Sequence, residues 1–424
     1  MDRTPSWGAA AMGTILAICG AASAQNAIAR ITVNSAGVEA NGRSVQPGLS
    51  ADGKLVVFSS SASNLVPGDN NDVADVFLYD RAARTFTRVS EGAGGKQADE
   101  PCFAPAISAD GRFVAYWSCA ATLVAGHAGK EADVFVYDRT TRTTTCLTTG
   151  GNGPSGLNQR LAISADGRFV ALASLAGNLV GDDTNDAWDI FVCDRQSGVT
   201  TRVSVGPGGA QANGNSFAPA ISGDGRYVAF HSFASNLVAG DTNNQPDVLV
   251  YDRTTRTTTR ISAGADGAQS DGQSLSPSIS ADGRFVAFVS QGTGAAGGQG
   301  SGVVLCDRQT RKTVQLAAGR ACIDPVISGN GQVVAWCASG GDEGSPTEVF
   351  VYDAAKKTTA RLSSPAGGAA ADGSSFGAAL SFTGQVAAFA SDGSNLTAGD
   401  KRGFTDVFLV DRQPAAARQQ AAAP

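Results

Sequence analysis

The chain has 424 residues, of which 53 are glycine, 42% are hydrophobic, 7% aromatic and 17% charged, with a formal net charge of -6. That hydrophobic share excludes a disordered chain, and the acidic balance removes the electrostatic footprint of a nucleic-acid binder. Only 2 histidines leave little room for a histidine-rich metal centre or histidine acid–base chemistry, and glycine at this density disfavours long helices, at about 1 kcal/mol for each interior glycine relative to alanine.

Residues 1–24 read as an export signal. Arg3 lies in a short polar head, Gly8 to Ala22 is apolar, and Ala22-Ser23-Ala24 supplies the small-x-small pattern that places cleavage before Gln25. The apolar stretch falls short of the about 20 residues a membrane span needs, and no basic cluster follows it, so no membrane span is expected. Cys19 follows the bulky Ile18, which argues against lipidation there.

A seven-fold repeat then fills residues 25–412. Variants of Pro-x-Ile-Ser-x-Asp-Gly-Arg-Phe-Val-Ala-Phe recur with their serine at Ser50, Ser108, Ser164, Ser222, Ser280, Ser328 and Ser381. Each unit continues with a loop, often containing Asn-Leu-Val and Gly-Asp, then Asp-Val-Phe-Val-Tyr-Asp-Arg, then Thr-Thr-Arg-Val-Ser. These runs are short, rich in β-branched and aromatic residues, and bounded by turn formers, as strands are. Asp-Gly between two of them is a hairpin signal, because glycine accepts the positive φ of the turn. Four strands per unit, seven times over, predict an all-β fold: a seven-bladed β-propeller of four-stranded blades.

The two ends predict how the ring shuts. Ala29-Arg30-Ile31-Thr32-Val33 matches the fourth strand of a unit, as in Thr201-Arg202-Val203-Ser204-Val205, whereas the last unit stops after Asp406-Val407-Phe408-Leu409-Val410-Asp411-Arg412. The N-terminal strand should therefore complete the last blade, leaving no long free edge. Residues 413–424 are low-complexity and read as a disordered tail.

The Ser-Ala-Asp-Gly-Arg and Asp-Val-Phe-Val-Tyr-Asp-Arg strings resemble the TolB-type, WD40-like propeller repeats of exported bacterial proteins. That resemblance covers nearly all of the mature chain and implies a binding scaffold in the periplasm or medium. Two units depart from it at the turn, where Asn330 and Thr383 replace the aspartate, and unit five lacks Asn-Leu-Val.

The repeated turn aspartates Asp52, Asp110, Asp166, Asp224 and Asp282 read as turn chemistry. The Asp-x-Asn-x-x-x-Asp loops of units one, three and four are candidate calcium sites: Asp69, Asn71, Asp75; Asp183, Asn185, Asp189; Asp241, Asn243, Asp247. Calcium takes about 6–8 oxygen ligands, and alternating Asp and Asn oxygens in a tight loop offer them; the competing reading is an Asx-capped loop. Unit seven has Arg402 between Asp400 and Asp406, and unit two carries His127 and Gly129, so a calcium site is expected to be lost there. No other cofactor is expected.

Cys102 with Cys119, and Cys322 with Cys337, flank turns and are candidate cross-strand disulfides; Cys193 and Cys306 replace the strand tyrosines and read as core thiols. The variable polar loops, such as 206–216 and 264–274, fall on one face of the ring and mark the expected binding face for an envelope or extracellular protein, a peptide or a glycan. The favoured expectation is a scaffold without catalysis. The alternatives are a calcium-stabilised structural or surface component, and a propeller-type lyase or hydrolase acting at the channel mouth.

Overall fold

The computed structural model describes residues 27–129, 131–148, 160–264, 267–292, 301–318, 321–339, 344–365, 367–401 and 403–412; the expected signal and tail lie outside them. Within the described residues the chain forms seven four-stranded antiparallel sheets closed into a ring. Blade one consists of Ser44–Leu49, Leu55–Ser60, Asp75–Asp80 and Thr85–Arg88. Blades two to six repeat that order in sequence. Blade seven takes Ser375–Leu380, Val386–Ser391 and Asp406–Asp411 from the C-terminal end and Ala27–Arg30 from the N-terminal end. Arg30 stands opposite Phe408 as Arg202 stands opposite Phe191, so the expected register of closure holds, although the regular strand begins two residues earlier than Ala29.

Alternation on the middle strands builds the core. Leu55–Ser60 is buried along its whole length because successive side chains enter the two wedges on either side of the blade. Val57 packs towards blade two, and Phe58 towards blade seven. Each of the seven inter-blade gaps holds one such apolar cluster among the described residues.

On the turn face, each Asp-Gly hairpin is fixed by its own side chains. In blade four Ser222 Oγ donates to Asp224, whose carboxylate also accepts the Arg226 amide at 2.9 Å. The turn residues also join neighbours: Phe169 of blade three lies between the guanidinium groups of Arg168 and of blade four's Arg253, at 4.7 and 4.1 Å from its ring centre. Departure from Asp-Gly does not break the pattern, since Ser328 Oγ bonds Asn330 Oδ1 at 2.8 Å in blade six.

The first strands touch one another around the axis and line the channel. Six of them carry a bulge, marked by a register shift such as that between Val45 and Gly48. The bulge residues Gln46, Ala104, Ala218, Ser276 and Asp324 hold φ between 50° and 57° without being glycine, each position costing on the order of 1–3 kcal/mol. Bulges of this kind re-aim a side chain, here at the channel.

Candidate functional site

The three Asp-Asn-Asp loops do gather into clusters, but an arginine from the end of the fourth strand stands inside each. In blade one, Arg88 Nη1 lies 3.2 Å from Asp69 Oδ1 and 3.9 Å from Asp75 Oδ2, while Asn71 Nδ2 donates to Asp75 at 2.9 Å. Blade three repeats this with Arg202, 3.0 Å from Asp183 and 3.9 Å from Asp189, and with Asn185 donating to Asp189 at 2.9 Å. In blade four Arg260 lies 3.2 Å from Asp247 and 4.0 Å from Asp241, Gln269 Nε2 bonds both carboxylates, and Asn243 turns to the Ser270 carbonyl at 2.7 Å. Ser90, Ser204 and Ser262 donate to the remaining strand-acid oxygens. The strand-acid carboxylates are thus turned onto guanidinium, amide and hydroxyl donors. The cation of each cluster is part of the chain.

Burial pushes the carboxyls of Asp75, Asp189 and Asp247 up, and the serine and guanidinium donors pull them back. Blade seven shows the largest net effect. Arg30 lies 2.9 Å from Glu39, 3.0 Å from Asp400 and 3.4 Å from Asp406, yet burial takes Asp406 up to about 6. A folded pKa above the ordinary 3.8 means that the folded chain binds a proton which the unfolded chain releases, so stability from this group is present at low pH and lost as pH rises towards 6. Moving from about pH 7 to about pH 5 should therefore raise the melting temperature more in the native chain than in Asp406→Asn, as scanning calorimetry would measure; equal responses would contradict the assignment.

Blade two departs from this scheme. His127 Nε2 lies 2.8 Å from Asp133 Oδ2, and the ligand atoms of His127, Asp133 and Cys146 all fall within 4.8 Å of one another. In place of an Asp-Asn-Asp loop, this blade carries, among the described residues, the one group of three metal-competent side chains. Burial pushes the Cys146 thiol up to about 12, so without metal it stays protonated.

The expected disulfides do not form: all seven described cysteines are free. The reason is a register offset of one residue. Cys102 faces Ser118 and Cys322 faces Ala338, which puts Cys102 and Cys119, and likewise Cys322 and Cys337, into different inter-blade clusters on opposite faces of their blades. Cys193 and Cys306 are buried in the core.

The polar loop 206–216 is tied to its neighbours by side-chain hydrogen bonds while its residues 207–210 stay exposed. Gln211 Nε2 donates to the Asp182 carbonyl at 2.8 Å, Asn213 Nδ2 to Ser235 Oγ at 3.0 Å, and Asn236 Nδ2 to the Gln211 carbonyl at 2.8 Å. Free chemistry gathers instead where the first strands meet. Arg160, at the blade-three position that corresponds to the Ala104 bulge, reaches Asp324 Oδ1 of blade six at 2.8 Å. Blades four and five separate these two blades along the ring, so the ion pair crosses the channel. Beside it, His231 packs between Phe217 and Phe233 at centroid distances of 5.8 and 6.2 Å, with Trp188 5.8 Å from Phe217. Burial, helped by the Arg160 charge, takes His231 down to about 4, which keeps it neutral and apolar in role. Phe233 remains 54% exposed.

Sequence reasoning missed Arg160 and Asp324. The available signal was irregularity: the position before the repeat's proline reads Gln46, Ala104, Arg160, Ala218, Ser276, Asp324 and Gly377 while its surroundings recur.

No protein-family model matches the chain. No curated protein matches it either. Among solved structures, an oligogalacturonate lyase in complex with manganese is similar over 93% of this chain and 96% of that one, at 14% identity and a TM-score of 0.59. An oligogalacturonate lyase from Vibrio parahaemolyticus is similar over 92% and 98%, at 13% identity and a TM-score of 0.58. TolB from Acinetobacter baumannii matches 75% of this chain and 62% of its own, at 17% identity and a TM-score of 0.44. Identities this low show the fold alone. They nevertheless overturn the expectation of a ring without catalysis, because a propeller matched nearly end to end belongs to lyases, and lack of a separate catalytic domain excludes nothing. Within the described residues the chain is a seven-bladed β-propeller closed by its own N-terminal strand.

Proposed function

We propose that the protein is an exported propeller that binds a polar ligand, a peptide or glycan segment, at the long-loop mouth of its channel. The observation that carries this reading is the Arg160–Asp324 pair bridging the ring beside the half-exposed aromatic group. Arginine offers a planar fork to a carboxylate, aspartate accepts from hydroxyl or amine, and the exposed Phe233 beside the Phe217 and His231 rings gives a stacking surface. The leader-like residues 1–24 support export, and no described helix is long and apolar enough to cross a membrane.

A panel of acidic and neutral oligosaccharides and peptides, titrated calorimetrically into the full chain, tests the reading. A binder should lose at least about tenfold in affinity, near 1.4 kcal/mol, on Arg160→Ala, and a similar amount on Phe233→Ala. Absence of any binder, or a binder indifferent to both variants, would overturn it.

A further inference from the structure

Blade two breaks a rule that the other blades keep. Where the third strand carries an acid as its first or second residue, as with Asp75, Asp189, Asp247, Glu348 and Asp406, an arginine stands against it: Arg88, Arg202, Arg260, Arg361 and Arg30. Blade five has dropped both partners, with Gly302 and Gln315 at the two positions. Blade two keeps its acid, Asp133, buried, but Cys146 faces Phe135 where Arg88 faces Phe77. The loop position six residues before the acid, aspartate in Asp69, Asp183, Asp241 and Asp400, is His127. A buried carboxylate has lost its guanidinium, and the two residues that replace the arginine and its second acid are both metal ligands.

We propose that His127, Asp133 and Cys146 hold a divalent transition-metal ion, with zinc the best fit, in the place that the arginine guanidinium fills in the other blades. The three ligand atoms lie within 4.8 Å of one another, and the His127 and Asp133 side chains are only 7% and 3% exposed. Outer contacts already orient the donors. Thr148 Oγ1 donates to the other Asp133 oxygen at 2.7 Å, and the His127 ring meets Phe135 edge-on at 5.1 Å. Nitrogen, sulfur and carboxylate oxygen are zinc's ligand set, with a fourth position open to water; calcium would not select thiol and imidazole.

Charge closes as well. A divalent ion with a thiolate and a carboxylate is neutral overall. The thiol proton, now donated to the Thr148 carbonyl, leaves to solvent on binding. The Gly129 amide donates to His127 Nδ1 at 3.2 Å, which puts the imidazole proton on Nε2; it passes to Nδ1 as the metal takes Nε2, and Gly129 gives up that bond.

The test is independent of the channel-mouth ligand. Full chain stripped with chelator and dialysed is titrated with cobalt(II), then zinc(II). One cobalt per chain should bind with sulfur-to-metal charge-transfer absorption in the near ultraviolet, and zinc should displace it and raise the melting temperature where calcium does not. Cys146→Ser should abolish the band, His127→Ala should weaken binding at least about tenfold, and Cys119→Ser should change neither. Should the single variants fold poorly, His127→Asp combined with Cys146→Arg rebuilds the arrangement of blade one and should fold without metal and bind none. No charge-transfer band in the native chain, or a band that survives Cys146→Ser, would overturn the site.

Discussion

Arg202→Met is expected to destabilise the ring by about 3–5 kcal/mol, the usual cost of stripping one partner from a buried ion pair. Arg202 is 6% exposed, and its Nη1 lies 3.0 Å from Asp183 and 3.9 Å from Asp189, the latter fully buried. Methionine keeps most of the packing volume of the stem, so the loss reports charge and not a cavity. Without the guanidinium, Asp189 retains Asn185 and Ser204 as donors but faces Asp183 with no cation between them. Burial already raises both carboxyls, so the variant should regain part of its stability as pH falls and they take up protons. Urea midpoints of Arg202→Met against Arg202→Met/Asp183→Asn/Asp189→Asn measure this directly. The triple variant should recover most of the loss, because replacing all partners removes the uncompensated charge. A single-variant loss below about 1 kcal/mol would show that water reaches the carboxylates, in the manner of an exposed pair.

That arginine also shows where sequence reading stops. Turns and strands are local: Asp224-Gly225 and Phe169 to Ser174 declare a hairpin and a strand from a few neighbouring residues. The match of Ala29–Val33 to Thr201–Val205 was enough to place the closing strand, because a repeat supplies its own template. The clusters are different. Asp183, Asn185 and Asp189 lie close in sequence and suggested a loop ion, but Arg202 arrives from the far end of the next strand and only the folded blade sets it between them. Cysteine pairing failed for a finer reason. Symmetry about the turn suggested Cys102 opposite Cys119, whereas the observed partner is Ser118, and a one-residue difference moves a side chain to the opposite face. Arg160 and Asp324 are 164 positions apart, and no local pattern joins them. What remained legible even there was departure from the repeat. Irregular positions at the bulge and at Cys146 mark the two places where the ring does something its symmetry does not require.

Gly225→Ala should cost about 2–4 kcal/mol, well above the roughly 1 kcal/mol that a left-handed glycine alone accounts for. Gly225 closes its turn with φ +71°, donating to the Ser222 carbonyl at 2.9 Å. A Cβ there would meet Phe169 Cδ2 of the preceding blade at 2.2 Å, with further ring atoms at 2.9 Å. Phe169 has little freedom to retreat, since the guanidinium groups of Arg168 and Arg253 cover its two sides and Arg253 Nη1 donates to the Gly225 carbonyl at 2.7 Å. Added volume must therefore part blade three from blade four or distort the turn. Gly240 is the internal control: its φ is also +71°, but a Cβ there has nothing within 4 Å, so Gly240→Ala carries the backbone cost alone. The difference between the two denaturation midpoints isolates the contact between blades. If both variants lose the same stability, the turn glycines serve backbone geometry only, and the rings of Phe169 and its counterparts must move freely enough to make room. A gap of about 1–3 kcal/mol instead means that the turn face is a continuous interlock, in which each Asp-Gly glycine is small because a side chain of the preceding blade is already there.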